Sequence, residues 1–398
     1  MRIVKMAHVA DAHWGLNYPG PNPSSRFEDI SRTMDWVADK IIAERCQYVL
    51  FSGDAFKDSN VMINRASVEI KAFVTWIRKL TAHGIKVVII SGTPSHDSVA
   101  AYEIIKEMDL KNTYIYTHPG IIDFSDFEVV CFPGLNRSSI LTQEEYRGLQ
   151  PHEVHQEMTS KIAIALKGLR AQCSCSETPV VLMSHMTYAQ ADTGFSDLLM
   201  QHEPVLTDES VSEFDLVALG HIHRPQQVRN VFYSGSPERL SFNDESVKAG
   251  FYVHQLEDKK VQSRFIETPA RKFVTLDLTE KEISDFVEYD AMADWVQDTA
   301  EKVADSVVRV RYSCSEDLNK RFNKKAMERV LVSVGAHFIH AIEGEIQRTD
   351  RQRSEEVTES LTPVMAMAVW AQQQSISPEE ISELSGMTET LLAGGMEV

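Results

Sequence analysis

Five short apolar runs in this chain each end in carboxylates or histidines. Ile3–Val9 leads to Asp11 and His13, and Tyr48–Phe51 leads to Gly53-Asp54. Lys86–Ile90 leads to Gly92-Thr93-Pro94-Ser95-His96-Asp97, Val180–Met183 to His185, and Leu216–Leu219 to Gly220-His221-Ile222-His223. Alternate residues of an extended chain point the same way, so Asp11 with His13, and His221 with His223, can each reach one ion. One carboxylate behind a strand is most often a turn residue or a helix cap, and one histidine is most often a satisfied, partly buried side chain. Five such clusters at five strand ends ask for a common cause. In α/β sheets ligands bind beyond the carboxyl ends of the strands, so these ends are expected to meet in one crevice. Mixed imidazole and carboxylate donors suit manganese, iron or zinc and argue against calcium or a thiolate zinc site. Asp11, His13, Asp54, His185, His221 and His223 exceed the needs of one ion and suffice for two that share a bridge. Two ions about 3.5–4 Å apart clamp a phosphate and activate water for in-line attack, which is phosphate-ester hydrolysis.

The elements that must position these residues follow an α/β pattern. Over the first 250 residues apolar runs alternate with amphipathic helical stretches at Arg26–Arg45, Asn64–Ala82 and about Ser98–Met108. The composition changes near Glu267. A strand at Lys272–Leu278, a helix near Ala291–Ala304, a strand at Ser306–Tyr312, a helix at Lys324–Val332 and a strand at His337–Ile342 make a second, smaller α/β module. Polar Gln347–Glu359 reads as a linker. Thr362-Pro363 and Ser377-Pro378 each put a capping hydroxyl before a proline, and Ser377 with Glu380 fits a capping box, so two short helices are expected at the end. The division is 1–267, 268–346, a linker at 347–359 and a helical pair in 360–398.

The chain has 398 residues, a formal charge of −18 and five scattered cysteines. That cysteine usage is no disulfide framework, and Cys173 and Cys175 are too close for the usual zinc pairing. No run approaches the roughly 18 apolar residues of a membrane span, and Met1–Lys5 runs into a strand without a secretory leader. A reduced, cytoplasmic protein is expected. The acidic total is awkward for a protein that grips DNA unaided, since phosphate neutralisation supplies most of that affinity. It calls for a small substrate, a local basic patch or a partner.

The set Asp11-x-His13, Gly53-Asp54, a Gly-to-His-Asp element, His185 and Gly220-His221-x-His223 resembles the calcineurin-like metallophosphoesterases. His8-Val9-Ala10-Asp11-Ala12-His13-Trp14-Gly15 and Tyr233-Ser234-Gly235-Ser236-Pro237-Glu238-Arg239 resemble the SbcD-type nucleases within them. The resemblance implies a four-layer α/β/β/α sandwich with a small capping domain and a C-terminal helical tail. It implies Asp11, His13 and His223 on one metal, His185 and His221 on the other, and Asp54 between them. His96 would be the acid at the leaving oxygen, with Asp97 orienting that histidine or its loop. It further implies two Mn2+ (with Mg2+, Fe2+ or Zn2+ as alternatives), DNA as substrate and a homodimer through Asn64–Ala82 and Ser98–Met108. The apolar terminal helices would bind an SbcC-type coiled-coil ATPase, in a bacterial cell or a phage-infected host.

The chain departs from the family pattern twice. Where the family has Gly-Asn-His-Asp, two residues are inserted and Ser95 precedes His96, so Ser95, or less readily Thr93, stands in for the amide ligand. Lys57 occupies the place three residues after the bridging aspartate, where it could meet substrate phosphate or face solvent. Arg137, Arg224 and Arg239 are further candidates for phosphate contact, and Trp14 is expected to pack rather than stack on a base. His8, His83, His118, His152, His155 and His337 have no motif context and are read as structural. Two rival functions stand: hydrolysis of a small or cyclic phosphodiester, and a non-catalytic scaffold for the ATPase.

Overall fold

The computed structural model describes residues 3–59, 67–95, 97–142, 147–174, 178–194, 204–289, 291–347, 361–374 and 376–394. In chain order the elements are β1 (Val4–Val9), α1 (Ser25–Ala43), β2 (Tyr48–Ser52), α2 (Ser67–Ala82), β3 (Lys86–Ile90), α3 (Val99–Glu107), β4 (Thr113–Tyr116), β5 (Gly120–Asp123), β6 (Glu128–Phe132), α4 (Arg137–Ile140), α5 (Pro151–Arg170) and β7 (Val180–His185). They continue with β8 (Thr187–Tyr188), β9 (Val205–Leu206), α6 (Asp208–Val211), β10 (Leu216–Gly220), β11 (Gln226–Val228), β12 (Val231–Tyr233), β13 (Gly250–Glu257) and β14 (Lys260–Glu267). Then come β15 (Phe273–Leu278), α7 (Glu280–Glu288), α8 (Met292–Val303), β16 (Val307–Ser315), α9 (Glu316–Arg321), α10 (Lys324–Ser333), β17 (Phe338–Gln347), α11 (Pro363–Gln373) and α12 (Pro378–Gly394). The expected helix from Asn64 is described only from Ser67, and most of the expected linker lies outside the described residues.

Two six-stranded sheets, ordered β14-β13-β1-β2-β3-β4 and β11-β12-β10-β7-β6-β5, carry the site. Their centres, β1-β2-β3 and β6-β7-β10, are parallel and are buried on both faces, as parallel sheets require. Period-2 alternation sorts the side chains. Met6, Leu50, Val88 and Ile90 of the first sheet face Val129, Cys131, Val181, Met183 and Ala218 of the second, filling the space between sheets. The intervening Ala7, Val9, Val49, Phe51, Val87 and Ile89 pack outward with α1–α3 residues such as Met34, Phe73 and Tyr102. On the far side Val130, Leu182, Val217 and Leu219 meet Ile162 and Leu166 of α5. The result is the expected α/β/β/α order of layers.

Helix α5 and the β13–β14 hairpin were not read from the sequence. The helix start was signalled, since Pro151 is its first residue and Gln150 with Glu153 forms a capping box. By contacts the chain divides into a first unit of 1–277, 290–311 and 323–343 and a second of 278–289, 312–322 and 344–398. The strands β15-β16-β17 form a three-stranded sheet. In the second unit Thr362 caps α11 and the Ser377–Glu380 box caps α12.

A pair of histidines lies buried inside the first unit. His8 Nε2 meets the carbonyl of Leu219 at 3.1 Å, its Nδ1 is 3.5 Å from His254 Nε2, and His254 Nδ1 meets Ser263 Oγ at 2.7 Å. Burial pushes His8 down to about 3 and His254 well below its ordinary value, so both are neutral in the fold. Between pH 6.5 and about 3 the unfolded chain binds protons that the folded chain refuses, so stability falls as pH falls. Urea midpoints measured from about pH 7 to about 4.5 should therefore decline, and the slope should flatten in His8→Asn.

Candidate metal centre

The site is built where the two sheets touch at their carboxyl ends. Beyond β1 and β2 the chains stay zipped: the Asp11 amide donates to Gly53 O (3.0 Å), His13 to Asp54 O (3.1 Å) and Trp14 to Ala55 O (2.8 Å). Asp11, His13, Gly53 and Asp54 all have positive φ, at 56°, 51°, 89° and 51°. That backbone is costly for non-glycine residues and persists only when its surroundings fix it. Gly53 must be glycine, because a Cβ there would overlap His185 Nδ1. Gly92 must be glycine too, because its Cβ would overlap Asp54 Oδ1.

Five of the six expected ligands fall into two adjoining groups, Asp11 with His13 and His223, and Asp11 with Asp54 and His185. His13 Nε2 and His223 Nε2 are 3.2 Å apart. Asp54 lies between the two groups, with Oδ2 3.6 Å from His13 Nε2 and Oδ1 3.3 Å from His185 Nε2. His185 Nδ1 meets the carbonyl of Ser52 at 2.7 Å, which sets the tautomer and aims Nε2 inward. That buried Nε2 makes no hydrogen bond and is available to ligate. His221 enters neither group; its backbone N–H donates to both Asp11 oxygens (3.0 and 3.1 Å) and its ring lies edge-on to His185, 5.4 Å between centroids.

The electrostatics fit cations. Burial opposes charge on His185, but Asp54 and Asp11 outweigh it and push its imidazolium up to about 10. Burial opposes charge on His223 as well, and Asp244 and Asp11 still raise it. His13, with less support from the carboxylates, is lowered to about 4 by burial. Buried carboxylates drawing protons onto imidazoles are the setting in which divalent cations displace those protons. Neutral imidazoles and ionised carboxylates are a donor set for such ions.

Asp97 acts on the loops. It is fully buried and accepts from the amides of Asp54 (3.1 Å), Phe56 (3.3 Å), Gly92 (2.7 Å) and Ser98 (3.0 Å) and from Tyr102 Oη (2.7 Å). His96 lies outside the described residues. Ser95 is exposed whereas Thr93 is buried, and Lys57 and Arg137 are exposed. Two of the candidate phosphate contacts have partners within the protein. Arg239 is spent on the carbonyls of Val247, Ala270 and Arg271, and Arg224 is paired with Asp192 at 2.6 Å. Trp14 is buried against Phe73 and Trp76, as expected of a packing residue.

Sequence reasoning missed Tyr102, Asp244 (3.8 Å from His223 Nδ1) and the buried group of Arg26, Asp29, Glu238 and Arg271. Glu238 accepts from Thr33 Oγ1, Arg26 and the amides of Arg239 and Arg271, while Ser236 Oγ donates to Asp11 O. The Ser234–Arg239 segment therefore clamps the end of β1.

These features make a double-sheet α/β/β/α sandwich with carboxylates and histidines at its strand ends, and they resemble the calcineurin-like metallophosphoesterases. The chain is 26% identical over 270 residues to the nuclease SbcD of the SbcCD complex of Escherichia coli K12, covering 63% of this chain and 64% of that protein. It is 23% identical over 299 residues to the SbcD protein of Staphylococcus saprophyticus, covering 72% and 74%. The DNA double-strand break repair protein Mre11 of Aeropyrum pernix is 26% identical over 235 residues, covering 56% and 49%. The chain thus spans about 64% of the length of the E. coli relative. No family model matches. The relatives agree with the SbcD resemblance read from the motifs.

Asp97→Ala would leave four backbone amides without their acceptor, at a cost of about 1–3 kcal/mol for each one that stays buried and unsatisfied. Hydrogen exchange of the peptide spanning 52–57 should accelerate strongly in that variant while peptides of β7 and β10 keep their protection. Unchanged exchange at 52–57 would remove Asp97 from its loop-holding role.

Proposed function

We propose that this chain is the nuclease subunit of an SbcCD-like DNA-end-processing complex, a phosphodiesterase with exonuclease and endonuclease activity that uses two metal ions. The observation that carries this reading is the gathering of Asp11, His13, Asp54, His185 and His223 into two adjoining groups that share Asp11, in a chain similar to proteins named as SbcD nucleases. Asp11, His13 and His223 would hold one cation, His185 and His221 the other, with Asp54 shared and Ser95 the candidate oxygen donor from its loop. Mn2+ is the preferred ion, with Mg2+, Fe2+ or Zn2+ as alternatives. When bound, the pair would supply Lewis acidity, neutralising phosphate charge and activating water.

The chain's own residues do the rest. His185 is held in one tautomer by Ser52 O, so its ligating nitrogen is set before any ion arrives. Asp97 fixes the amide of Asp54 and so the position of the shared carboxylate. His96 would donate a proton to the departing sugar oxygen, a task suited to an imidazole near neutral pH.

The division into a nuclease domain at 1–267, a cap at 268–346, a linker at 347–359 and a partner-binding helical pair in 360–398 belongs to this reading. So do a homodimer, a cytoplasmic location and an SbcC-type ATPase on the terminal helices. Those helices support it by leaving Met365, Trp370, Met387 and Leu391 exposed, at 54%, 49%, 56% and 77%. No helix among the described residues is long and apolar enough to cross a membrane. One observation favours a second reading: the charge of −18 suits a small or cyclic phosphodiester better than a long polyanion.

End-labelled duplex DNA with Mn2+ tests the proposal. The native chain should cleave it, Asp54→Ala should be inactive, and His96→Ala should fall roughly 10²–10⁴-fold, the usual worth of a general acid. A native chain that stays inert with its ATPase partner yet hydrolyses a chromogenic phosphodiester would transfer the function to small substrates.

A further inference from the structure

A row of aromatic rings runs away from the His13–His223 cluster; its inner member, Phe242, packs edge-on against the buried Phe273 at 5.0 Å, and its outer member, Tyr18, reaches solvent. Tyr18 follows His13 by five residues and is 55% exposed. Its ring lies 5.4 Å from that of His340 and 6.0 Å from that of Phe338. His340 in turn lies 5.1 Å from Phe242, and the Arg309 guanidinium sits 4.2 Å over the Phe242 ring. The row is tied to the metal cluster at both ends. Tyr18 continues the loop that bears His13, and Phe242 stands two residues before Asp244, whose carboxylate is 3.8 Å from His223 Nδ1.

Two polar atoms in this row are buried with no hydrogen-bond partner, Arg309 Nε and His340 Nδ1. Leaving such atoms unpaired is costly, and both belong to planar groups packed against the rings, His340 tilted by 49° to Tyr18 and 42° to Phe242. Bases stack on aromatic faces whatever their sequence, and arginine adds a cation–π contribution. Stacking also needs no excess of positive charge. That matters in a chain of net charge −18, which lacks the electrostatic grip most nucleic-acid proteins rely on.

We infer that Tyr18, with His340, Phe242 and Arg309 behind it, is a stacking platform for an unpaired base of the strand whose phosphate reaches the metal cluster. The platform selects a frayed or single-stranded end over intact duplex at this point of the site, because a base must leave its partner to lie on a protein ring. The inference rests on the nuclease reading for the identity of the substrate.

The test separates the two. Binding of a single-stranded oligonucleotide carrying 2-aminopurine is followed by fluorescence in EDTA, with the full chain and no catalysis. The native protein should quench the probe on binding. Tyr18→Ala should weaken binding roughly 5- to 150-fold, the range expected for one lost base–aromatic stack, and abolish the quench, while Tyr18→Phe retains both. In Mn2+, Tyr18→Ala should raise KM for the oligonucleotide. Absence of quenching by the native chain, or equal quenching by Tyr18→Ala, overturns the platform even if DNA is cleaved. Quenching lost in Tyr18→Ala supports the platform even if the chain proves inert as a nuclease.

Discussion

The site depends on one residue at the end of β2, where the two sheets come closest. Ser52 Oγ donates to Ala218 O of β10 at 3.0 Å, and Ser52 O meets His185 Nδ1 of β7 at 2.7 Å. Sheet packing normally leaves about 10 Å between backbones, too far for a carboxylate on one sheet and an imidazole on the other to share an ion. At Ser52 that gap is closed by direct hydrogen bonds. Gly220 fits only because it has no Cβ to meet Ser52 O. With the sheets joined there, Asp11 and Asp54 from one and His185 and His223 from the other reach a common point.

That closeness has an electrostatic cost. Asp11, Asp54 and Asp97 are all buried within one small region, and like charges in a low-dielectric setting repel strongly. Asp97 is raised above the usual carboxylate range by its burial and by Asp54, even with four amides and a tyrosine donating to it. Asp11 and Asp54 lean instead on the imidazoles of His13, His185 and His223. The fold tolerates the arrangement because the backbone is over-determined: left-handed residues alternate with amides bonded across β1, β2 and the Gly92 loop. Cations entering such a site relieve repulsion that folding has already accumulated, so metal binding and folding are linked.

What was legible in the sequence was whatever had a local period or a local spacing. Short apolar runs gave β1, β2, β3, β7 and β10, and the two x-separated pairs marked four of the six expected ligands. The strands β15, β16 and β17 and the helices α8 and α10 were placed to within a few residues, except at the ends of β16 and β17, which run on by three and five. The partners that hold the ligands were not legible. Ser52 and His185 are 133 residues apart, Arg271 and Asp29 242 apart, and His8 and His254 246 apart, and no local pattern encodes such pairs. The partners of Arg239 were hidden for the same reason. From sequence it is a basic residue beside a motif; in the fold its Nε and Nη1 donate to three carbonyls.

The buried ion group beneath α1 shows how the motif after the last histidine pair serves the site at a distance. Asp29 takes Arg26 at 2.6 Å and both Nε and an Nη of Arg271 at 2.6 Å, while Glu238 takes Arg26 and the Arg271 amide. Two acids and two bases paired out of water gain little net stability over apolar residues of the same volume, so energy alone is a weak reason for them. Their geometry is a better one. Arginine forks accept few orientations, and here they hold the segment Ser236–Arg239 at a fixed height against α1. Ser236 then bonds the carbonyl of Asp11, the residue common to both ligand groups. A hydrophobic contact could slide by about an ångström without much loss; a bidentate pair could not, and a candidate ligand that must meet both groups gains from that fixed placement.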